Sequence, residues 1–247
     1  MRDHTEYIPA LGLRALTPIY DSVLRRLFRE AYIKQQLIAA AGIQPGQHIL
    51  DLGCGTGTLM LMLKQGQPHS MVTGVDGDVA VLGMARTKAA HTAHSVSFSQ
   101  AFVSDLPYPD RTFDRVLSSL VFHHLSASAK RVALREIYRV LRVDGELHLL
   151  DFGAPHTHLG RLAAPLLRHL EQVADNLDGL IPIMVREAGF AEVTVTNQET
   201  VMVVATVTWL RARKAQPYVL MCILEAISSR MVVRLPMCER HRPRILD

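Results

Sequence analysis

Two hydrophobic periods alternate along the chain. Over 17–41, Ile19, Val23, Leu24, Leu27, Phe28, Tyr32 and Ile33 recur at three- and four-residue intervals, with Arg25, Arg26 and Arg29 between them. That spacing predicts a helix. Gly42 stops it, and Pro45-Gly46 turns the chain. The apolar run 48–52 reads as a short buried strand, and it feeds Gly53-Cys54-Gly55-Thr56-Gly57. A helix opening at 59–63 closes at Gly66 and Pro68. The alternation then repeats: strand 71–76, helix 79–90 behind an Asp78 N-cap, strand 96–101, a turn-rich loop at 106–110, strand 113–119, and a helix over 126–140 capped by Ser126 or Ser128. Asp144-Gly145 turns into strand 146–151. Strands and helices of these lengths in strict alternation imply a parallel sheet covered on both faces.

The remainder follows another rule. Residues 159–173 are helical in pattern but contain Pro165, so a kink or break is expected there. A short helix over 179–188 ends at Gly189-Phe190. The runs 191–198 and 201–211 alternate as two adjacent strands, with 197–200 as their connection, which predicts a hairpin at the sheet edge. Beyond Lys214, residues 218–227 are apolar enough for a helix, and 230–247 is basic with Pro236 and Pro243. No internal repeat or low-complexity tract interrupts this order.

Composition narrows the class without choosing a function. In 247 residues, 49% are hydrophobic and 20% charged, which excludes a disordered chain and supplies a core. A formal charge of +4 is too small to argue for nucleic acid. Cys54, Cys222 and Cys238 are too few and too scattered for a disulfide framework, so a reducing, cytoplasmic setting is expected. Residues 1–6 are polar, no secretory pattern follows them, and the longest apolar run, 201–210, is too short for a bilayer. No stable membrane insertion is expected.

The informative segment is Asp51-Leu52-Gly53-Cys54-Gly55-Thr56-Gly57. Glycines between a strand and a helix let a ligand touch bare main chain. The dinucleotide pattern G-x-G-x-x-G fails on its third glycine, because Thr58 stands there. Asp51, directly before the loop, is awkward for a pyrophosphate but suits a ligand carrying an ammonium or sulfonium charge. Asp76 ends the next strand, twenty-three residues after Gly53. An acid at that tip can accept hydrogen bonds from both hydroxyls of an adenosyl ribose, although a plain solvated strand end would look the same.

With Asp76, the stretches 51–57, 105–114 (DLPYPDRTFD) and 134–146 (LREIYRVLRVDGE) resemble the class I S-adenosylmethionine-dependent methyltransferases. The sequence looks most like the branch containing the ubiquinone/menaquinone C-methyltransferases and the small-molecule type 11 enzymes, over roughly residues 17–213. The resemblance implies an α/β fold, a doubly wound, mostly parallel, seven-stranded Rossmann-like sheet with an antiparallel last strand and helices on both faces. It implies N-terminal lid helices over 1–41, a methyltransferase domain over 42–214 and an extension over 215–247. It also implies S-adenosylmethionine as cofactor and S-adenosylhomocysteine as product. Carried over, Asp51, Gly53, Cys54, Gly55, Thr56 and Gly57 line the methionine end. Asp76 holds the ribose, and Gly77 and Asp78 lie beside the adenosine. Many relatives end the third strand in Gly-Asp-Ala, whose acid meets the adenine amino group. Here Ala101-Phe102-Val103 stands instead, so stacking on Phe102 or backbone at Val103 is expected. Ser118 and Ser119 end the fourth strand near the methionine moiety.

Methyl transfer from a sulfonium is an in-line displacement, and a general base is needed only when the acceptor keeps its proton. His123 and His124, just after the fourth strand, are candidates for that base, or for holding their loop. Tyr20, and with it Tyr7, precede the first strand, where an aromatic of the lid can cover the sulfonium or simply pack. Asp151 ends the fifth strand and faces the acceptor or stabilises a turn. His91 with His94 and His156 with His158 have ligand-like spacing without supporting carboxylates or thiolates, so no metal site is expected. The chain has no Asn/Asp-Pro-Pro-aromatic turn after the fourth strand and no cysteine between Cys54 and Cys222, which points away from nucleic-acid methylation. The Leu-, Ala- and His-rich segment 156–178 lies where lids insert, so a small apolar or aromatic acceptor is expected, with homodimerisation left open. The rival readings are an NAD-dependent oxidoreductase and a non-catalytic cofactor-binding scaffold.

Overall fold

The computed structural model describes residues 30–92, 95–168, 172–201 and 204–215. The chain divides into one unit over 1–214 and another over 215–247. Of the second, only Ala215 is described, so the expected helix at 218–227 and the tail cysteines lie outside the described residues. So do Tyr7, Tyr20 and the first half of the expected N-terminal helix.

Seven strands form one sheet in the order β3-β2-β1-β4-β5-β7-β6. They are β1 His48–Leu52, β2 Met71–Asp76, β3 Ser97–Gln100, β4 Phe113–Ser119, β5 Leu141–Phe152, β6 Glu192–Val201 and β7 Ala205–Arg213. β7 alone runs antiparallel to its neighbours. The order reverses between β1 and β4, and ligands bind in the crevice such a switch opens at the carboxyl ends of the strands.

Helices α1 Glu30–Ala40, α2 Thr58–Gly66 and α3 Val79–Ala90 cover one face; Ile33, Leu37, Leu59, Met60, Leu63 and Leu82 bury there against Ile49, Leu117 and Trp209. Helix α4 Ala127–Val140 and the short α7 Ile181–Glu187 cover the other; Leu134, Ile137, Met184 and Val185 pack on Leu147, Leu149 and Leu210. Asp78 caps α3 through the amides of Ala80 and Val81, and Ser126, not Ser128, caps α4. The sequence pattern 105–114 is held to α4 by one guanidinium. Arg139 donates to the carbonyls of Leu106 and Tyr108 and to the carboxylates of Asp110 and Glu136.

Two expectations need correcting, and one is met. Asp144-Gly145 is not a turn before β5 but a bulge within it. Asp144 takes φ +63°, and the pairing with β4 jumps from Phe113↔Leu141 to Arg115↔Glu146. The helical pattern 159–173 breaks as Pro165 predicts: α5 His158–Leu167 ends two residues beyond it, and a separate turn, α6 Ala174–Leu177, follows. Residues 197–200 do not connect the last two strands. They pair with 206–209, and the connection falls at 202–204. Their polarity belongs to an exposed edge strand, which mimics a turn in composition.

Candidate functional site

β1 delivers Asp51 to the sheet tip, and the chain then takes left-handed conformations at Gly53, Gly55 and Gly57 (φ +69°, +55° and +73°). The amides of Gly53 and Cys54 both donate to the Val75 carbonyl, which ties the loop to the end of β2. Asp76 orients its carboxylate through two main-chain donors, Gly55 N at 2.9 Å and Asp78 N at 3.0 Å. Each oxygen keeps a further lone pair for a hydroxyl donor. Nothing stands within 4 Å of where a Cβ on Gly55 would sit, so the main chain there borders open space. A Cβ on Gly53 would instead overlap Val121.

Asp51 is 2% exposed, and its Oδ2 has no hydrogen-bond partner among the described residues. Burial raises its pKa to about 7; the Lys34 charge works against that shift, and Asp76 adds to it. The neighbouring Ser119 Oγ is also buried without a partner among the described residues. Strand register pairs Asp51 with Leu117, so Asp51 and Ser119 project to the same face, that of α1. A buried acceptor left unsatisfied costs about 1–3 kcal/mol, and a cationic donor removes that cost. The donor set therefore fits the ammonium end of an amino-acid-like, adenosyl-bearing ligand.

The second half of the site begins where β4 ends. Leu120 takes the left-handed φ of +60° and turns the chain so that Val121 lies against Gly53. A single 3-10 turn, Phe122–His124, follows. Asp151, 1% exposed at the end of β5, organises it. Its Oδ2 accepts from the amides of Val121 and Phe122, and its Oδ1 from Phe152 N and from His123 Nδ1 at 2.9 Å. Burial alone would raise the Asp151 pKa, but His123 and these amides outweigh it and hold the group below its ordinary value. Facing an ionised carboxylate, Nδ1 carries a proton, which leaves the ring lone pair on Nε2. Phe152 meets the His123 ring edge-on, and the His124 ring lies 3.9 Å away, centroid to centroid.

Asp151 thus stabilises a turn, one of the two roles weighed for it, and it also fixes a histidine, which was not among them. A further member was not legible. Asn176 in α6 is fully buried and donates to Asp151 Oδ1 and the Phe152 carbonyl. Lys130, itself buried, holds this segment to α4 through the Gln172 carbonyl and Asp175.

Asp51, the glycine loop, Asp76 and Ser119 converge at the strand tips, with His123 and His124 beside them. Other candidates turn away. Ser118 is fully buried and donates to the Leu52 carbonyl inside the sheet. The Cys54 side chain is buried over Gly74, its thiol pKa pushed up by burial, so only its main chain borders the loop. Thr56 Oγ lies 3.5 Å from that of Thr58. Phe102 is 49% exposed, and its ring edge lies against Gly77. No metal-binding cluster occurs among the described residues.

A family model described as a methyltransferase domain matches residues 49–145. The chain is 34% identical over 168 residues to the demethylmenaquinone methyltransferase of Thermus thermophilus, covering 67% of this chain and 74% of that protein. It is 35% identical over 123 residues to a ubiquinone/menaquinone biosynthesis C-methyltransferase of Xanthomonas campestris, covering 48% and 47%. It therefore spans about half the length of that relative. Among solved structures, a methyltransferase of Methanosarcina mazei superposes with a TM-score of 0.59 at 20% identity, over 70% of this chain and 94% of that one, which speaks to the fold alone.

Proposed function

Since the chain belongs to the ubiquinone/menaquinone C-methyltransferase family of class I S-adenosylmethionine-dependent methyltransferases, we propose that its acceptor is a small hydroxylated aromatic compound, methylated at carbon. The observation that carries this reading is the His123–Asp151 pair, whose ring nitrogen and carboxylate are 2.9 Å apart and which follows Val121, the residue that lies against Gly53 of the glycine loop. Bound S-adenosylmethionine supplies a methyl carbon made electrophilic by a positively charged sulfur. The residues supply the rest. Asp51 takes the ammonium of the methionine end, Asp76 takes the ribose hydroxyls, and Phe102 with Val103 flanks the adenine. The main chain of 53–57 and Ser119 close the remaining surface, with Ser118 and Cys54 acting through backbone only.

A phenolic hydroxyl is a poor carbon nucleophile until its proton leaves. His123 Nε2 takes that proton, and Asp151 stabilises the imidazolium that forms. Electron density then reaches the ring carbon beside the oxygen; with the methyl donor bound, that carbon would form the new C–C bond as the carbon–sulfur bond breaks to leave the thioether, and loss of the ring C–H proton to solvent, with return of the hydroxyl proton from His123, would restore the aromatic ring. Main-chain bonds to Asp151 fix the base before the acceptor arrives, so little reorganisation accompanies transfer. Among the described residues no helix is long and apolar enough to cross a membrane.

The experiment is turnover of methyl-labelled cofactor against a reduced naphthoquinone, a phenol that offers only oxygen, and an aromatic amine. Label recovered on ring carbon of the reduced quinone is expected. Label found only on nitrogen, or on none of the three, would refute the reading.

A further inference from the structure

Five donors converge on the Asp151 carboxylate. Oδ2 accepts from Val121 N at 3.0 Å and Phe122 N at 2.7 Å; Oδ1 accepts from Phe152 N at 2.8 Å, His123 Nδ1 at 2.9 Å and Asn176 Nδ2 at 3.3 Å. Three of the five are main chain and belong to the turn that Asp151 holds. His123 is the group that gains and loses a proton. Asn176 is the remaining one, a neutral side chain reaching in from α6. The Phe152 carbonyl, 3.2 Å from its Nδ2, fixes the flip of the amide, because an oxygen there would face two acceptors. Asn176 Oδ1 is left buried with no partner among the described residues. A leucine would fill that volume without stranding an acceptor, so packing alone does not account for an amide at this position.

The segment that carries Asn176 also grips the histidine. Gln172 N donates to the His123 carbonyl at 3.1 Å. The buried Lys130 ammonium of α4 binds the Gln172 carbonyl at 2.7 Å and Asp175 at 3.1 Å. Residues 172–176 thus touch both members of the pair and are themselves clamped. The other charged or titratable groups packed around the pair are His124 beside the ring, Lys130 and Asp175, the last two joined in an ion pair.

We infer that Asn176 is the positioning residue of the His123–Asp151 pair: it holds Asp151 Oδ1 against His123 Nδ1 and draws off part of the charge that the ring meets. This deepens the function proposed above and rests on it for His123's being the base. The consequence has a sign. Each donor to Asp151 stabilises the unprotonated pair, so removing one raises the pair's affinity for a proton, whichever residue takes it. The base is then lost at a higher pH as pH falls.

The chain's asparagines are Asn176 and Asn197, so heavy-nitrogen labelling of asparagine in the full chain gives two side-chain amides, with the exposed Asn197 as internal control. They are followed by NMR from about pH 5 to 9 beside the His123 ring signals, which His123→Gln identifies. The Asn176 amide is expected to move with the midpoint of the His123 ring, and Asn197 to stay. In Asn176→Leu the His123 midpoint, and with it the acid limb of kcat/KM for the reduced naphthoquinone, is expected to rise by about 0.5–1 pH unit. A His123 ring that does not titrate in that range, or an Asn176 amide that stays flat while it does, overturns the assignment on the unaltered protein, whether or not the variant folds. So does a variant whose limb stays in place while its rate falls by one factor at every pH. Undiminished turnover in His123→Gln, with the two midpoints of the parent still coincident, is instead the failure of the function proposed above.

Discussion

At the tips of β1 and β2 the protein presents main chain; at the tips of β4 and β5 it presents side chains. The first half consists of left-handed glycines, two amides sharing the Val75 carbonyl, and carboxylates that keep unfilled acceptor positions among the described residues. The second half draws His123 from the turn after β4, Asp151 from β5 and Asn176 from α6, residues as much as 53 positions apart, into one hydrogen-bonded cluster. On the function proposed above, a cofactor used by many proteins is met by a surface that depends little on side-chain identity, and an acceptor particular to one enzyme by a surface that depends on little else.

The sharpest way to break that contrast is to strike the side-chain half. His123→Gln keeps a hydrogen-bonding side chain but cannot take a proton. Turnover should fall by about 10²–10⁴-fold, the usual range for loss of a general base. S-adenosylhomocysteine affinity should stay within about twofold, because His123 belongs to the other half. Steady-state kinetics with parallel calorimetry would read both. An unchanged turnover number would reduce His123 to a holder of its loop.

Striking the main-chain half should separate two glycines that look alike in sequence. Gly53→Ala puts a Cβ into Val121 and a non-glycine residue at φ +69°. Left-handed strain of about 1–2 kcal/mol and overpacking of about 1–3 kcal/mol combine, and the melting temperature should drop sharply. Gly55→Ala meets nothing within 4 Å and carries the strain alone, about 1–2 kcal/mol. It should stay folded yet lose cofactor affinity, since its methyl group would occupy the open space along the loop. Thermal melts and cofactor titrations of the pair decide the matter. If Gly55→Ala binds cofactor normally, the loop does not cradle it.

The same contrast governs what could be read before folding. The glycine loop, Asp51 and Asp76 were legible because their geometry is local: strand, bare turn and helix follow one another within a few residues. The parallel core was legible because buried strands and amphipathic helices carry their own periods. Residues 197–200 misled because an edge strand in water and a turn select the same polar residues. Asn176 left no trace, since Ala-Asp-Asn-Leu becomes a buried turn only when α6 folds against β5 and Lys130 reaches across from α4. Ser118 and Ser119 are adjacent and chemically identical. Only strand pleat decides that one hydroxyl serves the sheet and the other has no partner among the described residues.

The mildest test sharpens the comparison from the electrostatic side. Asp51 has its pKa raised to about 7 by burial, against an ordinary carboxylate value of 3.8. The folded protein therefore holds a proton that the unfolded chain releases between about pH 4 and 7, and the ligand-free fold loses stability as pH rises through that window. An ammonium ligand requires the opposite, ionised form. Cofactor affinity should accordingly rise on the order of tenfold between pH 5.5 and 7.5, with proton release on binding near pH 6. Titrations in buffers of different ionisation enthalpy would measure that release. Asp51→Asn should weaken binding, abolish the proton release and flatten the pH dependence. The His123 variant should keep both, because its proton serves the acceptor. Cofactor affinity independent of pH in the parent protein would mean that the buried carboxylate does not face the ammonium, and the division of labour between the two halves would have to be redrawn.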